Sequence, residues 1–366
     1  MNEGSDRIVR HCTSKVTLAI WGVVAVCMSF QFGCKSGPTE PEFKNPREYT
    51  WDATVLSAEG NAQTQLFSIW GSNPQDVYAS GFCMAGGQKG ALFHYDGKGW
   101  AAVKLPSADY NWLMRVTGFA SNDVWVAGAR LFSNPLLDSA AILHFNGAVW
   151  NQLLPSSMGA RRLQSAWGSS RENVLMGSVD GKVIQFDRGS WRVETMYPGL
   201  SINDFEGDAT RTFAIGNTWK GTRNDSDVFL MRTQSTWEIV SAQIISQQLS
   251  QPLFGSNALY SPAPGIHYSC GYVGVFQLVG DRWVKVFSPI ASLNGMGGSS
   301  STNMLVVGWR DSGPTVYQWD GTVWDEIKLP VGLVPSDVSL CDVWMTGKEA
   351  FIVGNNGSTT YVLHGR

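Results

Sequence analysis

The chain contains few charged residues and, after its N-terminal segment, no block of Lys and Arg. Asp, Glu, Lys and Arg make up 16% of its 366 residues, and the formal net charge is −3. Nucleic-acid binding depends on concentrated positive charge, so we expect no nucleic-acid partner. Hydrophobic residues make up 43% of the chain, which is enough for a large core and excludes a disordered protein.

Cysteines and the usual catalytic motifs are also scarce. Six cysteines occur, and only three of them lie after the N-terminal segment: Cys83, Cys270 and Cys341. They have no CxxC or Cys/His spacing of the kind that binds zinc, and scattered thiols of this kind are typical of small core residues. The sequence contains no GxSxG, phosphate-binding loop or HExxH motif. We therefore expect no metal, no cofactor and no catalytic residue that a motif identifies.

The first 34 residues have the layout of an export signal. Arg7, Arg10 and Lys15 precede an apolar run over residues 16–33, which corresponds to a positive region followed by a hydrophobic region. The pair Gly33-Cys34 that ends this run resembles the lipobox of bacterial lipoproteins. That resemblance implies lipidation of Cys34 as the mature N-terminus. An uncleaved membrane anchor remains an alternative, since the run approaches the ~18–20 apolar residues that span a bilayer, and simple secretion is a third.

Residues 35–48 are predicted to form an extended tether. They contain Pro38, Pro41 and Pro46 among polar neighbours, and such proline-rich segments act as semi-rigid spacers. Together with the leader, this segment predicts a protein anchored in a membrane of the cell envelope, with its folded body facing the periplasm or the cell surface.

A motif recurs through residues 49–366. It is clearest in IWGSNPQDVYASG with HYDGKGW, in VTGFASNDVWVAG with HFNGAVW, and in MGGSSSTNMLVVG with QWDGTVW. Apolar residues alternate within each copy, which predicts four short β-strands. Asp-Gly and Asn-Gly pairs tolerate positive φ and form tight hairpins, so we place the turn between the third and fourth strands at Asp96-Gly97, Asn146-Gly147 and Asp320-Gly321.

In six copies of the motif a tryptophan follows the position of this turn, at intervals of one blade length. The spacings are 50, 41, 46, 46 and 41 residues along the series Trp100, Trp150, Trp191, Trp237, Trp283 and Trp324. Four strands and four turns have this length. The last copy, LCDVWMTGKEAFIVGNNGSTTYVLHGR, lacks a tryptophan strand, and residues 49–56 around Trp51 match the missing one. The sequence therefore predicts an all-β, seven-bladed propeller of four-stranded antiparallel blades. The N-terminal strand completes the last blade and closes the ring.

These repeats resemble a group of bacterial exported propeller proteins with WGSSPxDVWAVG and HYDGxxW motifs, related in pattern to Kelch and sialidase-type repeats. The resemblance covers residues 49–366. It implies the fold but not a function, because propellers serve as enzymes, binding proteins and scaffolds alike.

Two groups of side chains invite a chemical interpretation. His94, His144 and His364 occupy the same place on third strands, and equivalent positions diverge around a propeller, so we interpret them as repeat residues rather than metal ligands. Asp204, Glu206 and Asp208 lie together in the fourth repeat, and paired carboxylates are the groups that general acid/base chemistry and Ca²⁺ binding use. We favour a solvated, degenerate repeat for this acidic cluster.

The predicted binding residues lie in the connections that share one face of a propeller: those between second and third strands, and those between blades. Exposed aromatic side chains beside arginine are typical of contact surfaces for proteins and glycans. The candidates are Trp112, Arg130, Arg161, Arg162, Trp219, Lys220, Trp309 and Arg310. The alternative is that some of these tryptophans fill the channel or pack between blades.

Two functions follow from this arrangement. The first is a non-catalytic, membrane-anchored protein that binds a protein partner or a glycan through this face. The second is a carbohydrate-active enzyme, either a glycoside hydrolase or a lyase, with carboxylates on the same face. The absence of a recognisable acid/base pair favours the first.

Overall fold

The computed structural model describes most of the chain after the tether. The described residues are 43–58, 62–85, 87–153, 158–208, 210–220, 223–233, 236–244, 253–272 and 274–366. The predictions for the leader, for Cys34 and for the tether up to residue 42 lie outside these residues. Within these ranges, no helix has the length and hydrophobicity that crossing a membrane requires.

Seven four-stranded antiparallel sheets form the blades of a ring, as predicted. Blade 1 contains β2 (Thr64–Asn73), β3 (Asp76–Met84), β4 (Gln88–Tyr95) and β5 (Trp100–Ala102). Blade 2 contains β6 (Trp112–Ala120), β7 (Asp123–Arg130), β8 (Ser139–Phe145) and β9 (Trp150–Gln152). Blade 3 contains β10 (Leu163–Ser170), β11 (Asn173–Ser178), β12 (Lys182–Asp187) and β13 (Ser190–Thr195). Blade 4 contains β14 (Leu200–Gly207), β15 (Thr212–Lys220), β16 (Arg223–Thr233) and β17 (Thr236–Ile244).

The remaining blades repeat this order. Blade 5 contains β18 (Ala258–Ala263), β19 (Ile266–Gly271), β20 (Gly274–Val279) and β21 (Arg282–Phe287). Blade 6 contains β22 (Ser292–Ser300), β23 (Asn303–Arg310), β24 (Gly313–Trp319) and β25 (Trp324–Ile327). Blade 7 contains β26 (Ser339–Met345), β27 (Ala350–Asn355), β28 (Thr360–Gly365) and the N-terminal β1 (Trp51–Leu56). Short 3₁₀ turns cover Pro46–Glu48 and Pro135–Leu137.

The N-terminal strand closes the ring. β1 pairs antiparallel with β28, in a register that places Ala53 opposite Leu363 and Thr54 opposite Val362. Trp51 is 6% exposed, and its indole lies against Gly365. The prediction that residues 49–56 supply the missing fourth strand is confirmed. Blade 7 therefore has no unpaired outer edge at β28, and an unpaired edge is the part of a sheet most prone to association.

The apolar core lies between neighbouring blades. Buried side chains form seven clusters, one for each blade interface, including the interface between blades 7 and 1. Cys83 and Cys270 are buried members of two of these clusters and carry free thiols, as expected of core residues. Every blade thus depends on both of its neighbours for burial of its faces.

The three repeat histidines bind acids within their own blades. His94 Nε2 lies 2.7 Å from Asp76 Oδ1, and His144 Nε2 lies 2.7 Å from Asp123 Oδ1. His364 makes the same contact with Glu349. Each ring also packs on an aromatic residue of the second strand, and the ring centroids of His94 and Tyr78 are 4.3 Å apart. These contacts join the second and third strands of a blade and support the interpretation of the histidines as repeat residues.

A β-bulge recurs near the start of the first strand in six of the blades, in β2, β6, β10, β14, β22 and β26. Bulges turn a side chain in a new direction, and in blades 1, 3, 4 and 7 the residue after this bulge bonds its blade to the next one. Ser68 Oγ accepts a hydrogen bond from Val116 N at 3.2 Å. Asp342 Oδ2 accepts from Ile69 N at 3.1 Å, which bonds blade 7 to blade 1.

Amide side chains make a second set of ties. Asn257 Nδ2 donates to Leu293 O at 2.8 Å, and Asn294 Nδ2 donates to Leu340 O at 2.8 Å. At the closure of the ring, Asn355 bonds both backbone groups of Leu66, since its Nδ2 donates to the carbonyl and its Oδ1 accepts from the N–H. The first strands are thereby held in register around the axis.

Candidate functional site

The predicted binding residues all lie toward one end of the ring, which we call the loop face. First strands begin there after the inter-blade connections, and second strands end there. Trp112 begins β6, while Arg161 and Arg162 directly precede β10. Second strands end at or near the other five: Arg130 in β7, Trp219 and Lys220 in β15, and Trp309 and Arg310 in β23.

Three of the predicted residues line one cavity, the Trp112 groove. Its volume is about 570 Å³, and Trp112, Arg161 and Arg162 form part of its wall. The rest of the wall comes from Met114, Leu163, Gln164, Val179 and Ser201. The Arg162 guanidinium lies over the Trp112 ring, 5.5 Å from its centroid. The groove therefore presents an aromatic side chain and two arginines at the junction of blades 2 and 3.

A buried carboxylate fixes Arg162 in this position. Arg162 Nε donates to Asp138 Oδ2 at 2.6 Å, and the same carboxylate accepts from the backbone N–H of Phe132 at 2.9 Å. Asp138 is 4% exposed, so the charged pair is shielded on one side from solvent. Arg162 is consequently held before any ligand arrives, and such preorganisation reduces the entropy that binding costs.

Arg130 ends β7 in blade 2 and is not part of the groove wall. Its guanidinium lies 5.5 Å from the centroid of the Tyr110 ring. The Tyr110 hydroxyl in turn donates to Gln152 Oε1 at 2.6 Å. The structure therefore brings Trp112, Arg161 and Arg162 together, whereas Arg130 packs on Tyr110, which lines a different cavity.

The predicted residues of blade 6 form a separate place on the loop face. Arg310 Nη2 lies 2.5 Å from Glu326 Oε1, and Trp309 Nε1 donates to Ser336 O at 3.3 Å. No contact described in the structure joins them to the Trp112 groove. Trp219 and Lys220 end β15 in blade 4, where their backbone pairs with Asn224 and Arg223. Ligand binding by these eight residues stays a prediction.

A second cavity lies on the axis of the ring, and the sequence analysis did not predict it. This channel cavity has a volume of about 170 Å³ and is lined by first-strand residues of all seven blades. Arg115 of blade 2 crosses it between two aspartates. Its Nη2 lies 3.1 Å from Asp204 Oδ1 in blade 4, and its Nη1 lies 3.4 Å from Asp342 Oδ2 in blade 7. All three residues follow the recurrent bulge of their strands.

The interpretation of the acidic cluster as solvated is wrong. Asp204 is 2% exposed, and Glu206 accepts a hydrogen bond from Trp167 Nε1 at 2.9 Å. The third member, Asp208, accepts from backbone and side chain of Thr210 and from Gly265 N. The first strand of blade 4 directs Asp204 and Glu206 to the axis, where the other blades surround them. An alignment of the repeats contains the signal, since Asp204 stands where blades 1 and 3 have Ser68 and Ser165.

Burial governs the ionisation of these groups. Burial, together with the negative charge of the neighbouring Asp204, raises the pKa of Glu206 to about 8. Burial also raises the pKa of Asp204 and of Asp342, although Arg115 and backbone N–H groups oppose that shift. Burial alone would lower the pKa of Arg115, but the carboxylates more than compensate and raise it. Arg115 therefore stays a cation between its two partners.

The comparisons with known proteins identify the fold and no family. No protein-family model and no curated protein matches the sequence. The structure of YCF48 bound to D1 peptide is similar over 88% of this chain and 97% of that one, with 14% identity and a TM-score of 0.59. YCF48 from Cyanidioschyzon merolae is 14% identical over 86% and 98%, with a TM-score of 0.57. The Neurospora crassa Pan2 WD40 domain is 16% identical over 88% and 97%, also at 0.57. This chain shares their propeller fold.

The channel cavity does not have the geometry of a glycoside-cleaving site. Asp204 and Asp342 are both engaged by Arg115, so neither carboxylate is free to act as a base. Its volume of about 170 Å³ is below the ~300–1,000 Å³ of most ligand pockets, which leaves no room for a polysaccharide. Among the described residues, no group of three His, Cys, Asp or Glu side chains is placed to hold a metal ion.

Proposed function

We propose that this chain is a non-catalytic binding protein whose Trp112 groove holds a segment of a protein partner. The observation that carries the proposal is the groove itself, in which Arg161 and a preorganised Arg162 flank Trp112. Arginine and tryptophan are the residues most enriched among those that dominate binding energy at protein interfaces. The groove is also large enough, at about 570 Å³, for several side chains.

The chemistry of the groove favours a segment with carboxylates. Guanidinium groups bind carboxylates through charge-assisted, often bidentate hydrogen bonds. Arg161 and Arg162 line the groove, and Asp138, which bonds Arg162, is buried. A propeller of the same fold, YCF48, has been solved bound to D1 peptide, so the scaffold is compatible with a peptide ligand.

The alternative ligand of the same groove is a glycan. Sugars bind by stacking on an exposed aromatic face. Arg162 covers one face of the Trp112 ring, and Phe82 contacts it edge-on with ring centroids 6.1 Å apart. This arrangement leaves less of the indole for stacking and favours a protein segment. The carbohydrate-active enzyme has no such observation in its favour.

The cellular setting of the proposal comes from the sequence. A positive, then apolar leader and the Gly33-Cys34 pair support export and lipidation at Cys34. We infer that the propeller is held at a membrane of the cell envelope by this anchor, with the proline-rich tether between them. The loop face would then meet partners in the periplasm or at the cell surface.

A peptide selection tests the proposed groove. The propeller is immobilised, a displayed peptide library is selected on it, and affinities of the enriched peptides are measured by fluorescence anisotropy. We expect Asp- or Glu-containing peptides, and we expect Arg161→Gln to weaken them about ten-fold, since a charged hydrogen bond contributes ~1.5–3 kcal/mol.

The matched control is Arg192→Gln, which removes an exposed arginine of β13 that is not part of the groove wall. Peptides that bind Arg161→Gln and wild type equally would overturn the assignment of the groove. Binding on a glycan array, with no peptide enriched, would instead favour the glycan.

A further inference from the structure

Aromatic side chains form much of the wall of the channel cavity. Trp70, Trp167, Tyr260 and Trp344 line it from blades 1, 3, 5 and 7, and Glu206 lines it from blade 4. All five hold the equivalent position of their first strands, so they form one layer around the axis. Each of the four aromatic residues is partly exposed. We call this layer the channel cage.

The rings of the cage are held in place by the next blade. The Trp344 indole lies against Gly71, where an added Cβ would come within 2.9 Å of it, and Trp70 lies in the same way against Gly118, at 2.6 Å. The Tyr260 hydroxyl donates to Gly298 O at 2.6 Å. Trp167 Nε1 donates to Glu206. The cage is therefore built without any ligand, and its rings do not have to move to form it.

The cavity is short of positive charge. Two carboxyl groups, Glu206 and Asp342, line it, a third, Asp204, contacts Arg115, and Arg115 is the one cation among the lining residues. Arg115 lies two strand positions from the cage, toward the loop face, and both of its Nη atoms contact an aspartate. Glu206 remains without a cationic partner within hydrogen-bond distance among the described residues.

We propose that the channel cage binds a methylated ammonium group of a small molecule, with the charge facing Glu206 and the methyl groups against the aromatic rings. Tryptophan and tyrosine faces attract organic cations through the ring quadrupole, and a nearby carboxylate adds to that attraction. A cavity of about 170 Å³ suits a compact head group. A bare metal ion needs oxygen ligands on several sides, which this aromatic wall does not supply.

Binding at this site has a defined pH dependence. Glu206 faces Asp204 on its own strand, Trp167 on β10, Arg115 on β6, Tyr260 on β18 and Asp342 on β26. Its pKa is raised to about 8, so it is mostly protonated at neutral pH. A bound cation stabilises the carboxylate and lowers that pKa. Binding should therefore tighten as the pH rises through about 8 and release a proton below it.

The experiment compares choline with 3,3-dimethylbutan-1-ol, which has the same shape and no charge. Calorimetric titrations use the whole propeller chain at pH 6.5 and pH 9. We expect choline to bind about ten-fold tighter than the alcohol, as a cation–π contribution of ~1–2 kcal/mol gives, and tighter at the higher pH. Equal affinities for the two compounds, or no binding of choline, would overturn the proposal.

Two variants test whether choline binding depends on the residues of the channel cage. Glu206→Gln keeps the shape of the side chain and should weaken choline binding about ten-fold and abolish its pH dependence. Trp344→Phe keeps a ring against Gly71 and should weaken choline binding less than Glu206→Gln does. Glu238→Gln, an exposed change in β17, is the control and should have no effect. A pH dependence that persists in Glu206→Gln would refute the assigned role of this residue.

A final comparison identifies the source of the head group. Free choline and vesicles of phosphatidylcholine carry the same methylated ammonium. Binding of choline without binding of vesicles assigns a soluble ligand, as proposed. Binding to vesicles that Glu206→Gln abolishes would replace the soluble ligand with a lipid head group. The Trp112 groove is not involved in either result, so the peptide experiment succeeds or fails independently.

Discussion

Arg115 is the residue that connects the polar network at the axis of the ring. It bonds Asp204 and Asp342, which in turn accept from the backbone N–H groups of Leu259 and Ile69 in the next blades. One guanidinium thus joins five blades in a single polar network. Networks of this kind resist change as long as every member has a partner and become costly when one is removed.

We therefore expect Arg115→Met to destabilise the protein by ~3–5 kcal/mol, because removing one partner leaves a buried charge uncompensated. The loss should be smallest in acid. Burial already raises the pKa of both aspartates, and removing the arginine raises it further, so protonation relieves the repulsion as the pH falls. Urea unfolding at pH 7 and pH 4.5 measures this difference.

The control for this experiment is Arg192→Met. Arg192 pairs with Asp187 at 3.5 Å, but its side chain is 62% exposed. Surface changes of this kind stay within ~0.5 kcal/mol. An Arg115→Met protein that unfolds like the control at both pH values would show that the axial network contributes nothing to stability.

Among single residues, the prediction was right for the three histidines, whose role repeats from blade to blade. It was wrong for the acidic cluster, whose role occurs in blade 4 alone. The three histidines share a position and share a contact, so the pattern alone indicated a repeat role. The sequence around Asp204 and Glu206 indicates only polar residues on a strand. Their burial comes from Arg115, Trp167 and Asp342, which lie in other repeats, and from a bulge that no local pattern marks.

Among the strands, β1 is the one whose alteration we expect to destabilise the protein most. Its Trp51 is buried against Gly365, and Leu56 joins the cluster between blades 7 and 1. We expect Trp51→Ala to cost ~3–5 kcal/mol, as removal of a buried tryptophan does. Since blade 7 packs against blades 6 and 1, one cooperative transition should shift as a whole in chemical denaturation.

Deleting residues 49–56 should have a larger effect of the same kind. The outer edge of β28 would lose its partner strand. A truncated protein that melts at the temperature of the full one would contradict this account of ring closure.

Strands and turns were the part of the fold that local sequence determined best. Alternation placed the strands, and Gly97, Gly147 and Gly321 adopt the positive φ that tight turns require. Local sequence did not predict which side chains of the loop face contact one another. Trp309 and Arg310 bond Ser336 and Glu326, which lie further along the chain. Which loops come together depends on the position of each blade in the ring.

For the molecule as a whole, the membrane anchor remains a prediction. If Cys34 carries a lipid, Cys34→Ala should abolish labelling by a fatty-acid probe and move the protein from the membrane fraction to the soluble fraction, because one or two acyl chains supply the anchoring energy. Cys83→Ala, a change at a buried thiol, is the control and should leave labelling unchanged. Membrane association that survives in Cys34→Ala, with the leader retained, would favour the plain anchor.

The pairing of β1 with β28 also sets an order of events during biosynthesis. The strand that holds Trp51 leaves the ribosome before any other strand of the ring, and its partner, which holds Gly365, leaves after all of them. Until then the earliest strand has no sheet to join. Contacts between such distant parts of a chain make folding slow. A nascent protein of this design should stay open to proteases and chaperones throughout its synthesis and then become resistant in one late step.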